Sequence, residues 1–450
     1  MSEATRARGR WVRRILVGIS FTALLASGCV EKVKESSTTG ASTGTTPPRA
    51  GSTTGAIVEQ FAGERLSFGV VPSSPRKATG EPITIGMINQ ENTPLGSFPE
   101  LRLGVEAAVA LINEELGGIG GRPIDLVTCI TTFSVEQSQA CAQQMVQRDV
   151  VAVIGGIDVT SNGSIPILEA NQIPYIGGIP VNFDELRSPI SFQFSGGVPG
   201  AMAAFAYYAA QVQGAKKVAI AYGEYQSIEA AAIDYGAKTL QQLGVNDVVQ
   251  VPFPITTTDF LPVLTKANEG NPDAIFLGAA DTACAPAMKT AQDLGITAKL
   301  YLVGACAAPG IADQVGEAAV NGRIFNVEGP VSQTDREGQF YFAVLGRYAD
   351  PALEGASAAT VSFRSAMNLY ALLADLGPDG VSRPALLDLV RGARNRASFD
   401  GHDYTCDGQQ VPDLPALCSP QQILVVRNGA TLDPITDWID VPAILRGETG

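Results

Sequence analysis

Ile83-Thr84-Ile85-Gly86-Met87-Ile88-Asn89 reads as a short apolar strand, and the residues that follow it decide the fold. The loop Thr93-Pro94-Leu95-Gly96-Ser97-Phe98-Pro99 leads into a segment in which Leu101, Val105, Ala108, Val109, Ile112 and Leu116 recur at helical spacing. Gly117-Gly118-Ile119-Gly120-Gly121 stops that helix, and Pro123 to Val127 returns as a strand. Strand, helix and strand in such close succession imply a right-handed crossover and a parallel sheet covered on both faces.

The alternation continues outward from there. A helix over about 135–148 precedes the strand Val151-Ala152-Val153-Ile154, and another begins near Ser161 and precedes Pro174-Tyr175-Ile176. After Phe192-Gln193-Phe194 a second series begins. It has helices at about 198–212, 227–243, 258–268 and 285–294, and strands at 217–222, 248–252, 274–277 and 300–303. Two series of this size predict two lobes, connected first near 195–200. Helices at about 335–348, 358–376 and 384–392 are expected to return to the first lobe after a crossover around Gly329-Pro330. We therefore expect lobe 1 to comprise 81–197 with 329–401, and lobe 2 to comprise 198–328 with 402–450. A turn-rich stretch, Phe399 to Pro420, precedes a strand at Ile423-Leu424-Val425-Val426-Arg427.

The N-terminal residues speak to compartment. Arg6, Arg8, Arg10, Arg13 and Arg14 precede an apolar run from Ile15 to Ala26, about 12 residues, too short for a membrane span and suited to a signal peptide over 1–28. The run ends in Leu25-Ala26-Ser27-Gly28-Cys29, which resembles the lipobox of bacterial lipoproteins, in which the cysteine becomes the lipidated N-terminus. Residues 29–80 are assigned to that cysteine and a flexible tether. From Ser36 to about Gly55 the chain is mostly Ser, Thr, Gly, Pro and Ala, too poor in apolar surface to offset the entropy of ordering it. Residues 56–82 are ambiguous, and Ile83 is the first residue placed in a core. The expected location is thus outside the cell membrane, held to its outer face by lipid. The only extended apolar stretch lies before Cys29, so the body is expected to be a monomer.

Removing 1–28 takes five Arg and one Glu from 31 basic and 45 acidic residues, leaving 26 against 44, a net charge of −18. Such a body is a poor partner for nucleic acid. Apart from Cys29 there are six cysteines in three local pairs, Cys129 with Cys141, Cys284 with Cys306 and Cys406 with Cys418. An exported chain permits disulfides, although spacing alone leaves fifteen pairings open. No C-x-x-C occurs and His402 has no second imidazole, so neither a metal site nor a cofactor is expected. Gly117-Gly118-Ile119-Gly120-Gly121 closes a helix where a dinucleotide fingerprint would open one, and no phosphate-binding Gly-Lys-Ser/Thr occurs. The one Gly-x-Ser-x-Gly, Gly40-Ala41-Ser42-Thr43-Gly44, lies in the tether without the strand and helix a nucleophile elbow needs. The chain is not expected to be an enzyme.

In an open α/β sheet a ligand sits at the C-terminal ends of the strands, which restricts the candidates to a few loops. Gly155-Gly156-Ile157-Asp158-Val159-Thr160-Ser161-Asn162-Gly163-Ser164 offers hydroxyls and backbone donors for an anionic group, with Asp158 free to cap a helix or receive an ammonium. Gly177-Gly178-Ile179-Pro180-Val181-Asn182 is expected to face the same crevice. From the other series come Tyr222, Tyr225 and Asp281-Thr282.

At this point the residues resemble a known family. The order of Ile85-Gly86-Met87, Pro94-Leu95-Gly96, Gly104-Val105-Glu106, Ile112-Asn113, Gly120-Gly121-Arg122-Pro123, Val153-Ile154-Gly155, Ile173-Pro174-Tyr175-Ile176, Pro272-Asp273-Ala274-Ile275 and Gln292-Asp293-Leu294-Gly295 is similar to that of type I periplasmic binding proteins. Within these it resembles the leucine/isoleucine/valine-binding receptors of ABC importers, over about 83–441. The resemblance implies two Rossmann-like lobes with parallel sheets, three crossovers, and an amino acid or related carboxylate-bearing solute in the cleft, handed to an ABC permease. It places the ligand at Val159, Thr160 or Ser161, at Pro180 and Val181, and at Tyr225; Ser97 in the first loop is a further candidate contact. Relatives often carry an acid for the α-ammonium after the strand at 300–303. Here Cys306 or a neighbour stands there, so Asp158 or Asp281 would take the ammonium, or the solute lacks an amine. The alternative function is a receptor domain that senses a solute without transport.

Overall fold

The computed structural model describes residues 55–93, 95–329, 335–349, 353 and 357–448. The signal-peptide and Cys29 assignments, and the tether up to residue 54, lie outside the described residues.

Strands β1 (Arg65–Leu66) and β2 (Gly69–Val70) form a small antiparallel hairpin. The first lobe is built on β3 (Ile83–Gln90), β4 (Ile124–Thr131), β5 (Val153–Gly155), β6 (Tyr175–Ile176) and β7 (Ser191–Phe192). They are all parallel, in the order β4-β3-β5-β6-β7, with Ile88 opposite Cys129 on one side and Gly155 on the other. The second lobe contains β8 (Lys217–Gly223), β9 (Asp247–Phe253), β10 (Ala274–Gly278), β11 (Lys299–Leu302), β12 (Ile324–Val327), β13 (Ile423–Asn428) and β14 (Thr431–Pro434). Their order is β14-β13-β12-β11-β10-β8-β9. The expected alternation of strands and helices is present in both series, and the fold class is the expected two-lobed α/β.

The second sheet is parallel from β9 to β12 and antiparallel from β12 through β14. The reversal follows from chain path. The chain leaves this lobe at the C-terminal end of β12 and re-enters beside it, with Ile423 paired to Val327, so β13 can only run the other way.

Local sequence sets the helix starts. Ser134 accepts the Gln137 N–H ahead of the helix Val135–Gln147, and Ser382 accepts the Ala385 N–H ahead of Arg383–Arg391. The long helix Ser357–Leu376 packs on Pro99–Glu114, where a Cβ at Gly104 would lie 2.8 Å from the Ala359 carbonyl. Only glycine permits that approach, and Ser362 Oγ then reaches the Leu101 carbonyl at 2.7 Å.

The three expected disulfides are present, Cys129–Cys141, Cys284–Cys306 and Cys406–Cys418, with S–S distances of 2.07, 2.02 and 2.08 Å. The first ties β4 to the helix Val135–Gln147.

Two expectations need correction. The tether does not extend to residue 80. Ile57, Val58, Phe61 and Phe68 are buried in the first-lobe core, Phe61 meets Phe340 edge-on at 5.1 Å, and Val58 N–H donates to Glu115 at 3.0 Å. Their partners lie far along the chain, so no local periodicity announces them. Residues 402–450 also do not belong wholly to lobe 2. Tyr404, Cys406 and Cys418 join the first-lobe core, whereas Val411, Leu414 and Leu417 join the second. The disulfide-closed excursion therefore straddles both lobes, and it is tied to Gln193, whose N–H donates to the Ala416 carbonyl and whose carbonyl accepts the Cys418 N–H.

Candidate functional site

The cleft is where the C-terminal ends of the two sheets meet, and a cavity of about 140 Å³ lies there. Leu95, Phe98, Phe133, Ile157, Val159, Ile179 and Val181 form the first-lobe wall, joined by Ala358 and Val361 from the long helix. Val198, Ala201, Ile228, Ile255, Val303 and Val327 face them from the second lobe. Among the described residues the polar side chains on the lining are Asp281, Asn326 and Glu328, and no Lys or Arg borders it. An apolar cavity with a few convergent polar groups is the usual form of a small-molecule site.

The anticipated residues separate into distinct roles. Val159, Val181 and Asp281 line the cavity. Asp158 does not reach it. The residue is fully buried, and its carboxylate accepts from Ser138 Oγ at 2.6 Å, Thr131 Oγ1 at 3.2 Å, Thr160 Oγ1 at 2.9 Å and the Thr160 N–H at 3.1 Å. Burial pushes its pKa up, and those four donors pull it back. The Ser161 N–H donates to the Asp158 carbonyl, so the Thr160 and Ser161 amides turn inward, and both side chains are buried. The helix expected from Ser161 begins only at Ile165 and has six residues.

Pro180 is buried behind the wall, its carbonyl 2.2 Å from where a Cβ on Gly197 would stand. Gly177 and Gly178, at φ +67° and +97°, do permit a close approach. The groups they admit belong to the protein: a Cβ at Gly177 would meet Ser365 Oγ at 2.0 Å, and one at Gly178 the Gly156 carbonyl at 2.6 Å. Val181 is positioned by Glu185, which accepts the Val181 and Asn182 N–H groups at 2.9 and 3.1 Å and the Tyr175 hydroxyl at 3.0 Å. Burial pushes the Glu185 pKa up to about 8.

Two contacts join the lobes across the mouth. Tyr225 donates its hydroxyl to the Val159 carbonyl at 2.8 Å, and its ring lies 5.8 Å from Phe133. Asp281 accepts the Thr282 N–H at 2.8 Å and also faces the backbone N–H of Ser97 in the opposite lobe. Burial raises the Asp281 pKa and these donors oppose it. Ser97 is exposed, and its hydroxyl accepts the Asn92 N–H at 3.1 Å. Behind the second-lobe wall, Cys284–Cys306 links the loop carrying Ala279, Ala280 and Asp281 to that carrying Val303, Gly304 and Ala305.

Sequence reading missed Phe133, Ile255, Asn326, Glu328 and Val361. Phe133 adopts φ +61°, which nothing in its neighbours announces. Glu328 had one signal, its place just before the Gly329-Pro330 crossover. Among the described residues no group of His, Cys, Asp and Glu is arranged to hold a metal ion, and no helix is long and apolar enough to cross a membrane.

Comparison with known proteins matches this geometry. The family described as Periplasmic binding protein matches residues 82–415. A leucine binding protein from Thermotoga maritima superposes with a TM-score of 0.66 at 21% identity, covering 79% of this chain and 98% of that one. A solute binding protein of an ABC transporter from R. palustris, in complex with 4-hydroxybenzoate, gives 0.67 at 20% identity over 80% and 98%. A fatty acid ABC transporter substrate-binding protein from Thermomonospora curvata gives 0.67 at 14% identity over 82% and 95%. No curated protein matches the chain. With two α/β lobes, a cavity between their strand ends and a family match across both, the chain belongs to the periplasmic binding proteins, of type I architecture.

Proposed function

We propose that the protein is the extracytoplasmic receptor of an ABC importer, lipid-anchored at Cys29 and monomeric, which captures a small solute with a mainly apolar body by closing its lobes and does not convert it. The observation that carries this reading is the lining of the interlobe cavity, where apolar side chains from both lobes face each other around three polar ones. Burying an apolar solute there removes its surface from water at roughly 25 cal/mol per Å² before the costs of association. The family supports a solute-binding role and an exported location.

The expected carboxylate-bearing solute draws less support than its apolar body does. The amides proposed to receive a carboxylate are engaged by Asp158, and among the described residues no basic side chain borders the cavity. A carboxylate there would lack a charged partner and would face Asp281 and Glu328. Native mass spectrometry of freshly purified protein, followed by calorimetry with the retained molecule and a panel of apolar solutes, tests the reading. Reversible, stoichiometric retention of an unchanged apolar solute is expected. Binding confined to sugars, or turnover of the retained molecule, refutes it.

A further inference from the structure

Glu328 stands where the chain crosses between the lobes for the second time, and its Oε1 accepts three hydrogen bonds. Ser195 Oγ donates at 2.9 Å, the Gly196 N–H at 2.9 Å and Gln422 Nε2 at 2.7 Å. Ser195 and Gly196 belong to the first crossing, and Gln422 immediately precedes β13 in the third. One carboxylate oxygen therefore holds all three interlobe segments. The network continues into the cavity wall, because Asn326 Nδ2 donates to Gln422 Oε1 at 2.9 Å and Asn326 Oδ1 accepts the Gly304 N–H at 2.9 Å.

Glu328 borders the cavity, and among the described residues its Oε2 accepts no hydrogen bond. The nearby buried guanidinium of Arg364 donates instead to the Phe399 and Asp400 carbonyls, at 3.0 and 2.7 Å. An acceptor at the hinge end of an apolar cavity is incomplete until a donor reaches it. Among the described residues the Asn326 amide does not supply one: its Nδ2 donates to Gln422 and its Oδ1 accepts from Gly304.

We propose that Glu328 is a solute-binding residue: its second carboxylate oxygen takes a hydrogen-bond donor of the solute, an ammonium or hydroxyl, while the first holds the three crossings. The preferred solutes are then apolar bodies with a donor head and no acid. The bound head and the hinge share one rigid carboxyl group, so occupancy is coupled directly to the segments about which the lobes move. This rests on the reading of the cavity as the solute site.

Matched heads on fixed bodies test it. Calorimetry on the purified full chain uses 3-methylbutylamine, 3-methylbutan-1-ol and 3-methylbutanoate, and the phenyl counterparts 2-phenylethylamine, 2-phenylethanol and phenylacetate. The amine or alcohol is expected to bind at least about tenfold more tightly than the acid of the same body. Glu328→Gln keeps an amide oxygen for the three hinge donors and places an NH2 where Oε2 stood. It should lose about tenfold or more for the amine and hold or gain affinity for the acid, with unchanged thermal unfolding of the unliganded protein. A purely structural role for Glu328 would not exchange the order of heads. The wild-type ranking stands if the variant does not fold, and an acid that binds best in wild type overturns the proposal. Equal affinity for all heads, unaltered in Glu328→Gln, overturns the role of Glu328 alone. If no body binds with any head, the apolar-solute reading of the cavity falls, and this proposal with it.

Discussion

Replacing Tyr225 by Phe removes one hydroxyl and leaves the ring beside Phe133 in place. The hydroxyl bridges the lobes to the Val159 carbonyl at 2.8 Å, and burial raises its pKa, so it remains a donor at physiological pH. With the lobes apart the same hydroxyl meets water, so its loss weakens the closed state selectively. The Val159 carbonyl keeps a second donor, Asn182 Nδ2 at 3.3 Å, so the deletion does not orphan a buried acceptor. The cost is then that of one ordinary hydrogen bond, about 0.5–1.5 kcal/mol, or roughly 2- to 12-fold in Kd if the solute binds the closed state. Tyr225→Ala also loses the aromatic pair and should add about 1 kcal/mol. Calorimetry with the retained solute measures both variants, small-angle scattering of free and loaded protein reports closure, and the unfolding temperature should move by less than about 3 °C. Unchanged affinity in Tyr225→Phe refutes the latch. A loss of stability equal to the loss of affinity refutes its selectivity for the closed state.

Glu185 makes stability depend on pH. Its folded pKa, about 8, lies above the ordinary 4.5, so the folded state holds a proton that the unfolded chain releases first. Stability is therefore full below about pH 4.5 and falls as pH rises toward 8, with Glu185 accounting for about 3 kcal/mol between pH 5 and 8. Glu185→Gln should remove that share of the slope in denaturant unfolding; Asp400 and Glu100, both raised to about 7 by burial, contribute in the same direction and remain. An unchanged slope in the variant counts against a buried neutral carboxyl. Serine at both Cys284 and Cys306 should cost on the order of 3 kcal/mol of stability through chain entropy, and should weaken solute binding because the bond ties two cavity loops. Lost stability with intact affinity would show that the loops hold their shape without it. Finally, Cys29→Ser is expected to shift the protein from the membrane to the soluble exported fraction, and continued membrane association after signal removal excludes the lipid anchor.

Several features were legible in the sequence because they depend on short-range patterning. Ile83 to Asn89, followed by Leu101 to Leu116 at helical spacing, specifies a strand and crossover helix through which face each side chain occupies. The three disulfides were expected for a related reason, since the paired cysteines lie only 12, 22 and 12 residues apart in the chain. The burial of Ile57 and Phe61 was not, because it depends on Phe340 arriving from a remote helix. The same holds at the cleft. Asp158-Val159-Thr160-Ser161 carries donors and an acid suited equally to a ligand or to itself, and only tertiary packing decides. Ser138 and Thr131 converge on Asp158 from neighbouring elements, close the loop inward and leave Val159 to face the cavity. Glu328 shows the converse. An acid beside a crossover has no periodic signature, and its partners Ser195, Gly196 and Gln422 come together only when three distant segments pass side by side. Sequence determined the elements and their order, because hydrophobic periodicity and chain chirality act over one or two turns. Tertiary structure decided which polar groups were engaged internally and which were left to a solute, because that depends on contacts between elements far apart in the chain.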